Sequence, residues 1–136
     1  MSKSILMTGN RILLDTNIIS AWLKGEKAIA DKIDDADEVY IPVHVLGELY
    51  YGAQHSTNVQ TNLANIKKVI ARYELLNTNE VTASLYGIIK ASLRRKGKPI
   101  PENDIWIATI AKQHQLTLIT RDKHFNEVDG LDVDNW

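Results

Sequence analysis

The stretch Arg11-Ile-Leu-Leu-Asp15-Thr16-Asn17-Ile-Ile-Ser20 decides the fold of this chain. Its apolar run predicts a strand that is buried on both faces, as in parallel sheets, and the Asp-Thr-Asn that follows predicts the start of a helix. Asp15 is therefore expected at the carboxyl end of a strand. Because ligands bind at that edge of open α/β sheets, Asp15 is either a helix cap or the first residue of a functional site.

Apolar periodicity along the rest of the chain predicts strands and helices in alternation. Further strands are predicted at 38–42, 74–76 and 116–120 and in the tail after Gly130, and helices at 18–23, 27–33, 43–54, 56–70, 79–97 and 105–114. This order is typical of βαβ units. We therefore predict an α/β fold, with a central, mainly parallel sheet flanked by helices. Residues 1–10 are predicted as a polar lead with Met7 as a second candidate start, and residues 11–136 as a single domain.

Length and composition limit the class of protein. A chain of 136 residues with 44% hydrophobic content is long enough for one domain that buries roughly two-thirds of its unfolded surface. The absence of cysteine excludes disulfide frameworks, thiolate zinc sites and thiol nucleophiles, and agrees with a cytoplasmic location. No apolar run approaches the roughly 18 residues of a membrane span, so no membrane contact is expected. The net charge of -1 means that a polyanionic partner would be held by local clusters.

Three more acids occupy positions from which they can join Asp15. Glu48 interrupts an apolar helical pattern, so it is either paired or cation-bound, or it lies on the solvent-facing side of its helix. Asp104 falls in the first turn of a nearly apolar helix, and Asp122 follows a strand as Asp15 does. In a parallel sheet the strand ends and the following helix starts meet at one edge. The sequence therefore predicts a cluster of four carboxylates.

Carboxylates that are gathered without cations repel one another and hold their protons more strongly. The cluster is therefore interpreted as a site for one or two Mg²⁺ ions, with Mn²⁺ as an alternative, since these ions prefer oxygen ligands. We expect the short polar side chains of Thr16, Asn17 and Thr120 to orient the carboxylates. Ions held in this way lower the pKa of a bound water and align it against a phosphodiester. This is the chemistry of a nuclease.

Four segments of the chain carry a family resemblance. They are Ile12-Leu-Leu-Asp15-Thr-Asn17, Gly47-Glu48-Leu-Tyr-Tyr-Gly52-Ala, Asn103-Asp104-Ile-Trp-Ile-Ala108 and Leu118-Ile-Thr120-Arg-Asp122. In this order and at these separations they resemble the PIN-domain ribonucleases, and among them the VapC-type toxins of type II toxin–antitoxin pairs.

The resemblance implies functions for this chain that its composition does not show. It implies that Asp15, Glu48, Asp104 and Asp122 bind Mg²⁺ or Mn²⁺, and that the Thr120 hydroxyl supports them. It also implies endonucleolytic cleavage of RNA, a homodimer, and a small cognate antitoxin protein that blocks the acidic pocket.

Basic residues near the predicted site are candidates for contacts with RNA phosphates. They are Arg94, Arg95, Lys96, Lys98, Arg121 and Lys123. The first four also complement the carboxyl-terminal end of a helix, and the sequence leaves both interpretations open. The four histidines, at 44, 55, 114 and 124, lack the spacing of known metal-binding motifs and are expected on the surface or in the core.

Two other classes of function remain open from the sequence. One is a non-catalytic PIN-like binding module whose acidic pocket receives a basic partner segment. The other is a phosphoacceptor receiver domain, in which clustered acids at strand ends bind Mg²⁺ beside a phosphorylated aspartate. Such a domain needs a lysine at the end of a late strand, and Thr120-Arg121-Asp122 does not obviously supply one.

Overall fold

The fold is built on a five-stranded sheet in which every pairing is parallel. The computed structural model describes residues 10–136, so the polar lead predicted at residues 1–10 lies almost entirely outside the described residues. The strands are β1 (Arg11–Leu14), β2 (Glu38–Pro42), β3 (Glu74–Leu76), β4 (Thr117–Thr120) and β5 (Val133–Asn135). The predicted α/β fold with a central parallel sheet is confirmed.

Helices connect these strands within the described part of the chain. They are α1 (Thr16–Leu23), α2 (Lys27–Asp34), α3 (Val43–Gln54), α4 (Val59–Arg72), α5 (Glu80–Lys96), α6 (Glu102–Gln113) and a 3₁₀ helix at Lys123–Glu127. Their ends follow local chemistry. Asn79 begins α5 with a reciprocal capping box, and Gly97 ends it in the left-handed region at φ 67°. A search of these helices finds none long and apolar enough to cross a membrane.

The strand order β3-β2-β1-β4-β5 determines where a site can form. The chain runs outward from β1 to β3 and then returns to the other side of β1, so the order reverses between β1 and β4. A crevice opens at such a reversal, beyond the carboxyl ends of the strands. Leu14 pairs with Ile119, and the Asp15 amide donates to the Ile119 carbonyl at 3.0 Å. The residues that follow β1 and β4 therefore lie side by side.

The two central strands and α6 form the rigid support of this crevice. Ile12, Leu13 and Leu14 of β1 have no exposed surface, and Leu118 of β4 has none either. Most of α6 is also buried, from Ile105 to Ala111 apart from Trp106. Burying each such large aliphatic side chain contributes about 1.5–3 kcal/mol, so the strand ends are anchored by fully buried side chains of the core.

The buried face of α5 differs from the sequence prediction. The helical spacing predicts that one face of this helix carries Val81, Leu85, Ile88, Ile89 and Ser92. In the structure Ile89 is buried, but the side chains of Val81 and Ile88 are 62% and 63% exposed. The face that α5 buries contains Thr82, Ile89 and Leu93, and the Thr82 hydroxyl donates to Gln113 of α6 at 2.5 Å. This hydrogen bond satisfies the polar group on the buried face, while Val81 and Ile88 lie outside it.

Candidate active site

Asp15 lies at the centre of the crevice and is only 5% exposed. It caps α1, since Oδ1 accepts from the Thr16 amide at 2.8 Å, and its Oδ2 accepts from the Thr120 hydroxyl at 2.7 Å. Asn17 donates to the same Oδ2 at 3.4 Å. Burial raises the pKa of Asp15, and the nearby Asp104 and Glu48 raise it further, while the bonds from Thr120 and Thr16 oppose this rise. Asp15 is thus both a cap and a member of the acidic cluster.

Glu48 reaches the cluster from α3. Its Oε1 accepts from the Thr16 hydroxyl at 3.0 Å and from the Asn103 amide at 2.8 Å. The residue is largely exposed, yet it is directed at the crevice by donors from α1 and α6. The sequence left open whether Glu48 is paired or lies on the solvent-facing side of its helix. Both descriptions apply, because the solvent-facing side of α3 is also the side that faces the cluster.

Asp104 and Asp122 are joined through a histidine. His124 contacts the Asp104 carboxylate through Nε2 at 2.5 Å and the Asp122 carboxylate through Nδ1 at 2.7 Å. Asp122 also caps the 3₁₀ helix by accepting from the His124 amide at 3.2 Å. Burial raises the pKa of Asp104, whereas the hydrogen bond from His124 lowers it.

The four predicted acids meet in two overlapping groups. Asp15, Glu48 and Asp104 form one, and Asp104, Asp122 and His124 form the other; in each, the candidate ligand atoms lie within 4.8 Å of one another. Asp104 is the member that they share. This geometry and the predominance of carboxylate oxygen suit a hard divalent cation.

The predicted supporting residues lie around the carboxylates. Thr120 is fully buried, and its hydroxyl also accepts from the Asp122 amide at 3.0 Å. Asn17 accepts from the Arg121 amide at 3.1 Å, so one side chain spans the ends of β1 and β4. The hydroxyl of Thr16 connects α1 to Glu48. Each of these polar side chains therefore connects its own element to another part of the site.

Sequence reasoning did not single out Asn103 and His124. Asn103 precedes Asp104 in the first turn of α6, where its amide can reach Glu48 of α3. His124 follows Asp122 by two residues, but it contacts Asp104 only because the 3₁₀ helix returns the chain towards α6. For Asn103 a local signal existed, since it belongs to the same helix start as Asp104. For His124 the spacing to Asp122 offered none.

The six basic residues predicted to contact RNA lie in different environments. Lys96 is bound to the Asp129 carboxylate at 3.0 Å, and Arg121 to Glu26 at 2.7 Å. Arg94 lines a cavity between α5 and α6 beside Ile105, the residue that follows Asp104. The remaining three, all exposed, are Arg95, Lys98 and Lys123.

An aromatic stack braces the helices that carry the acids. The ring of His44 in α3 stacks on Trp106 in α6 with 5.8 Å between centroids, and Trp106 stacks on Tyr86 of α5 at 3.9 Å. His44 stands one helical turn before Glu48, and Trp106 stands two residues after Asp104. Offset-stacked aromatic pairs add roughly 0.5–1.5 kcal/mol beyond their buried area. The stack therefore fixes the spacing of α3 and α6 near the acids.

Comparison with known proteins places this architecture in a family. The PIN domain family matches residues 12–131 of the chain. Ribonuclease VapC2 of Haemophilus influenzae is 33% identical over 129 residues, which cover 93% of this chain and 98% of the relative. The tRNA(fMet)-specific endonuclease VapC of Shigella flexneri is 31% identical with the same coverage. The crystal structure of VapBC2 from Rickettsia felis, bound to a promoter DNA fragment, contains a chain with the same fold. That chain superposes with a TM-score of 0.87 at 27% identity, and the match covers 92% of this chain and 98% of that chain.

These matches extend over nearly the whole chain and over nearly the whole length of the relatives. The protein belongs to the PIN domain family. Its relatives of similar length within that family are VapC ribonucleases.

Proposed function

We propose that this protein is a divalent-metal-dependent endoribonuclease that acts as the toxin of a toxin–antitoxin pair. The observation that carries the proposal is the convergence of Asp15, Glu48 and Asp104 to within 4.8 Å at the sheet edge where the strand order reverses. Relatives that match the full site-bearing region carry the names ribonuclease and endonuclease. Water is the proposed nucleophile, and the RNA phosphodiester is the proposed substrate.

The donor set fits Mg²⁺, with Mn²⁺ as the alternative. Asp15 is buried among other carboxylates, and this burial raises its pKa, so its ionised form needs a compensating positive charge. A divalent cation supplies that charge, lowers the pKa of water and stabilises the charge that develops on the leaving oxygen. Asp15, Glu48, Asp104 and Asp122 are the proposed ligands.

The surrounding polar residues have positioning roles in this proposal. Thr120 at the end of β4 and Asn17 of α1 hold Asp15, and Thr16 and Asn103 hold Glu48. Carboxylates fixed before the substrate arrives need no reorganisation during the reaction.

The proposed RNA path crosses the surface beside the amino-terminal end of α6. Arg94 faces the cavity next to Ile105, and Lys98 and Lys123 are exposed near the ends of α5 and β4. Lys96 and Arg121 would have to leave their carboxylate partners to bind phosphate, so we assign them smaller contributions. Because the net charge is -1, these local cations are what would hold a polyanion.

A small antitoxin protein and a second copy of this chain are the proposed protein partners. The solved relative from Rickettsia felis is a VapBC2 complex, which supports an antitoxin partner. A basic antitoxin segment would complement the acidic crevice and block it. The exposed Val81 and Ile88 of α5 offer apolar surface for a homodimer. Loss of the dimer in an Ile88→Lys variant, measured by light scattering, would support that assignment, and an unchanged mass would refute it.

The experiment that tests the activity uses purified protein and a pool of structured RNAs. Discrete products are expected with Mg²⁺ or Mn²⁺, none with EDTA, and none with the Asp15→Asn or Asp104→Asn variants. Asp31→Asn is the matched control, because Asp31 is an exposed acid of α2 paired with Lys27. Full activity in either active-site variant would refute the proposal. Metal binding without any RNA cleavage would favour the non-catalytic binding module.

A further inference from the structure

His124 is held in place by the same acids that it contacts. Its backbone amide donates to Asp122, which caps the 3₁₀ helix, and its ring lies 5.0 Å from the ring of the fully buried Phe125. Nε2 is hydrogen-bonded to the Asp104 carboxylate at 2.5 Å, and Nδ1 lies 2.7 Å from the Asp122 carboxylate. These contacts fix the position of the imidazole ring at the site.

The two overlapping groups at the site differ in donor chemistry. Asp15, Glu48 and Asp104 offer oxygen only, whereas Asp104, Asp122 and His124 offer two oxygens and one imidazole nitrogen. Oxygen-only sites suit Mg²⁺, Ca²⁺ and Mn²⁺, while an imidazole ligand favours later first-row transition ions. The two halves of the site are therefore not equivalent.

We propose that His124 is a metal ligand, and that it makes the Asp104–Asp122–His124 group selective for a first-row transition ion over Mg²⁺. Nε2 faces Asp104, the acid common to both groups, and is the proposed ligand atom. Nδ1 lies 2.7 Å from Asp122 Oδ1, which also accepts from the His124 backbone amide at 3.2 Å. Contacts with neighbouring groups fix the orientation of a histidine that binds a metal. This inference rests on the proposed metal dependence of the enzyme, which it refines.

The test measures binding of the metal alone to metal-stripped, full-length protein. Isothermal titration calorimetry with Mg²⁺ and with Co²⁺ gives both affinities, and the visible absorption of bound Co²⁺ reports its ligands. In His124→Gln, Co²⁺ affinity is expected to fall by more than the roughly 10- to 100-fold that is typical when a residue supporting the ligands is lost, with a changed Co²⁺ spectrum and a nearly constant Mg²⁺ affinity. Asp15→Asn is expected to show the opposite, a larger loss for Mg²⁺ than for Co²⁺.

His55→Gln is the matched control. His55 is an exposed histidine of the same protein that contacts Tyr51 and no member of either acidic group, so its variant should bind both ions as the wild type does. Unchanged Co²⁺ affinity in His124→Gln, or an equal loss for Co²⁺ and Mg²⁺, would overturn the proposal. The equal loss would mean that His124 only supports the carboxylates.

The binding measurement also separates this inference from the proposed function. If the wild type cleaves RNA with a metal while His124→Gln keeps its ion preference, the inference is wrong and the nuclease proposal stands. If the preference changes as expected while no RNA is cleaved, the metal site is correct and the nuclease proposal is wrong.

Discussion

Thr120 donates a hydrogen bond of 2.7 Å from its hydroxyl to the Asp15 carboxylate, although the two residues are 105 positions apart in sequence. The same hydroxyl oxygen accepts from the Asp122 amide at 3.0 Å. One buried side chain thus connects the acid after β1 to the acid after β4. Since β1 and β4 are neighbours with the order of strands reversing between them, this bond depends directly on the topology of the sheet.

Removing the Thr120 hydroxyl should therefore reduce metal affinity and RNA cleavage, although all four carboxylates remain in the site. In Thr120→Val the shape is kept, but Asp15 loses a donor and the Asp122 amide loses an acceptor. We expect roughly 10- to 100-fold weaker metal affinity or cleavage, as is typical for loss of a residue that orients a ligand. Calorimetry and RNA cleavage measure the two effects.

Two further variants make the Thr120 result specific. Thr120→Ser keeps the hydroxyl and should retain most of the activity. Thr109→Val removes another buried hydroxyl, which bonds the Ile105 carbonyl within α6, and should leave metal affinity nearly unchanged. If Thr109→Val and Thr120→Val lose metal affinity equally, the effect comes from general destabilisation and not from orientation of Asp15.

Because Asp15 is buried, we expect the metal-free protein to become more stable when the carboxylate charge of Asp15 is removed. Burial raises the pKa of Asp15, so the folded state disfavours the carboxylate more than the unfolded state does. At low pH both states are protonated and this penalty is absent; it develops as pH rises above about 4 and is complete above the folded pKa. In EDTA at pH 7, Asp15→Asn should therefore be more stable than the wild type, by about 1.4 kcal/mol for each unit by which folding raises the pKa of Asp15.

A pH series of thermal unfolding checks the sign of this effect. The difference between Asp15→Asn and the wild type should shrink as pH falls towards 4. Addition of Mg²⁺ should reverse the order, because the wild type gains binding energy that the variant lacks. A metal-free variant that is less stable than the wild type at every pH would contradict the prediction and would assign Asp15 a mainly structural role as the cap of α1.

Asp104 belongs to both acidic groups, and this predicts which variant loses most of the stabilisation that a bound metal provides. Saturating Mg²⁺ or Mn²⁺ should raise the Tm of the wild type by several degrees, since a ligand that binds only the folded state stabilises it by about 2.7 kcal/mol at 100 times its Kd. Asp104→Asn should lose more of this gain than Asp15→Asn or Asp122→Asn, because only Asp104 belongs to both groups.

Asp132→Asn is the control for this series. Asp132 accepts a hydrogen bond from Thr117 at the start of β4, at the opposite edge of the sheet from Asp122. Its variant should respond to metal as the wild type does. An equal loss in all three active-site variants would show that the groups bind as one unit, and a smaller loss for Asp104→Asn than for the others would refute its shared position.

The sequence could predict those site residues whose positions are determined by their neighbours along the chain. Asp15 and Asp122 follow short buried strands, and Asp104 follows a proline-limited loop at a helix start, so each is located by its own neighbours. Parallel topology then brings these positions to one edge. Glu48 was ambiguous because its helix face is both solvent-exposed and directed at the crevice.

What sequence could not predict depends on contacts between distant elements. His124 meets Asp104 only through the path of the 3₁₀ helix, and no spacing rule anticipates that. The face that α5 buries is determined by its packing on neighbouring elements: Thr82 is buried with its hydroxyl bonded to Gln113 of α6, while the apolar Val81 and Ile88 are exposed. The ion pairs of Lys96 and Arg121 likewise follow from the tertiary fold.

The different environments of Arg94 and Arg95 give a matched pair for testing the RNA path. Arg94 lines the cavity beside the first turn of α6, whereas its neighbour Arg95 lines a separate cavity with Val128 and Asp129. Each phosphate contact on a single strand contributes about -0.7 to the slope of log affinity against log salt concentration. Arg94→Gln should therefore make the slope less steep by about 0.7, and Arg95→Gln should change it much less.

The measurement compares RNA affinity of both variants across a range of salt in an Asp104→Asn background, where no cleavage is expected. Both substitutions remove one charge from the same helical turn, so any change in net charge is common to them and cancels. A difference between them then reports local contact with the RNA, and equal slopes would refute the proposed path. Lys96→Gln should instead lower thermal stability, because Lys96 holds Asp129 and the Glu127 carbonyl against the end of α5.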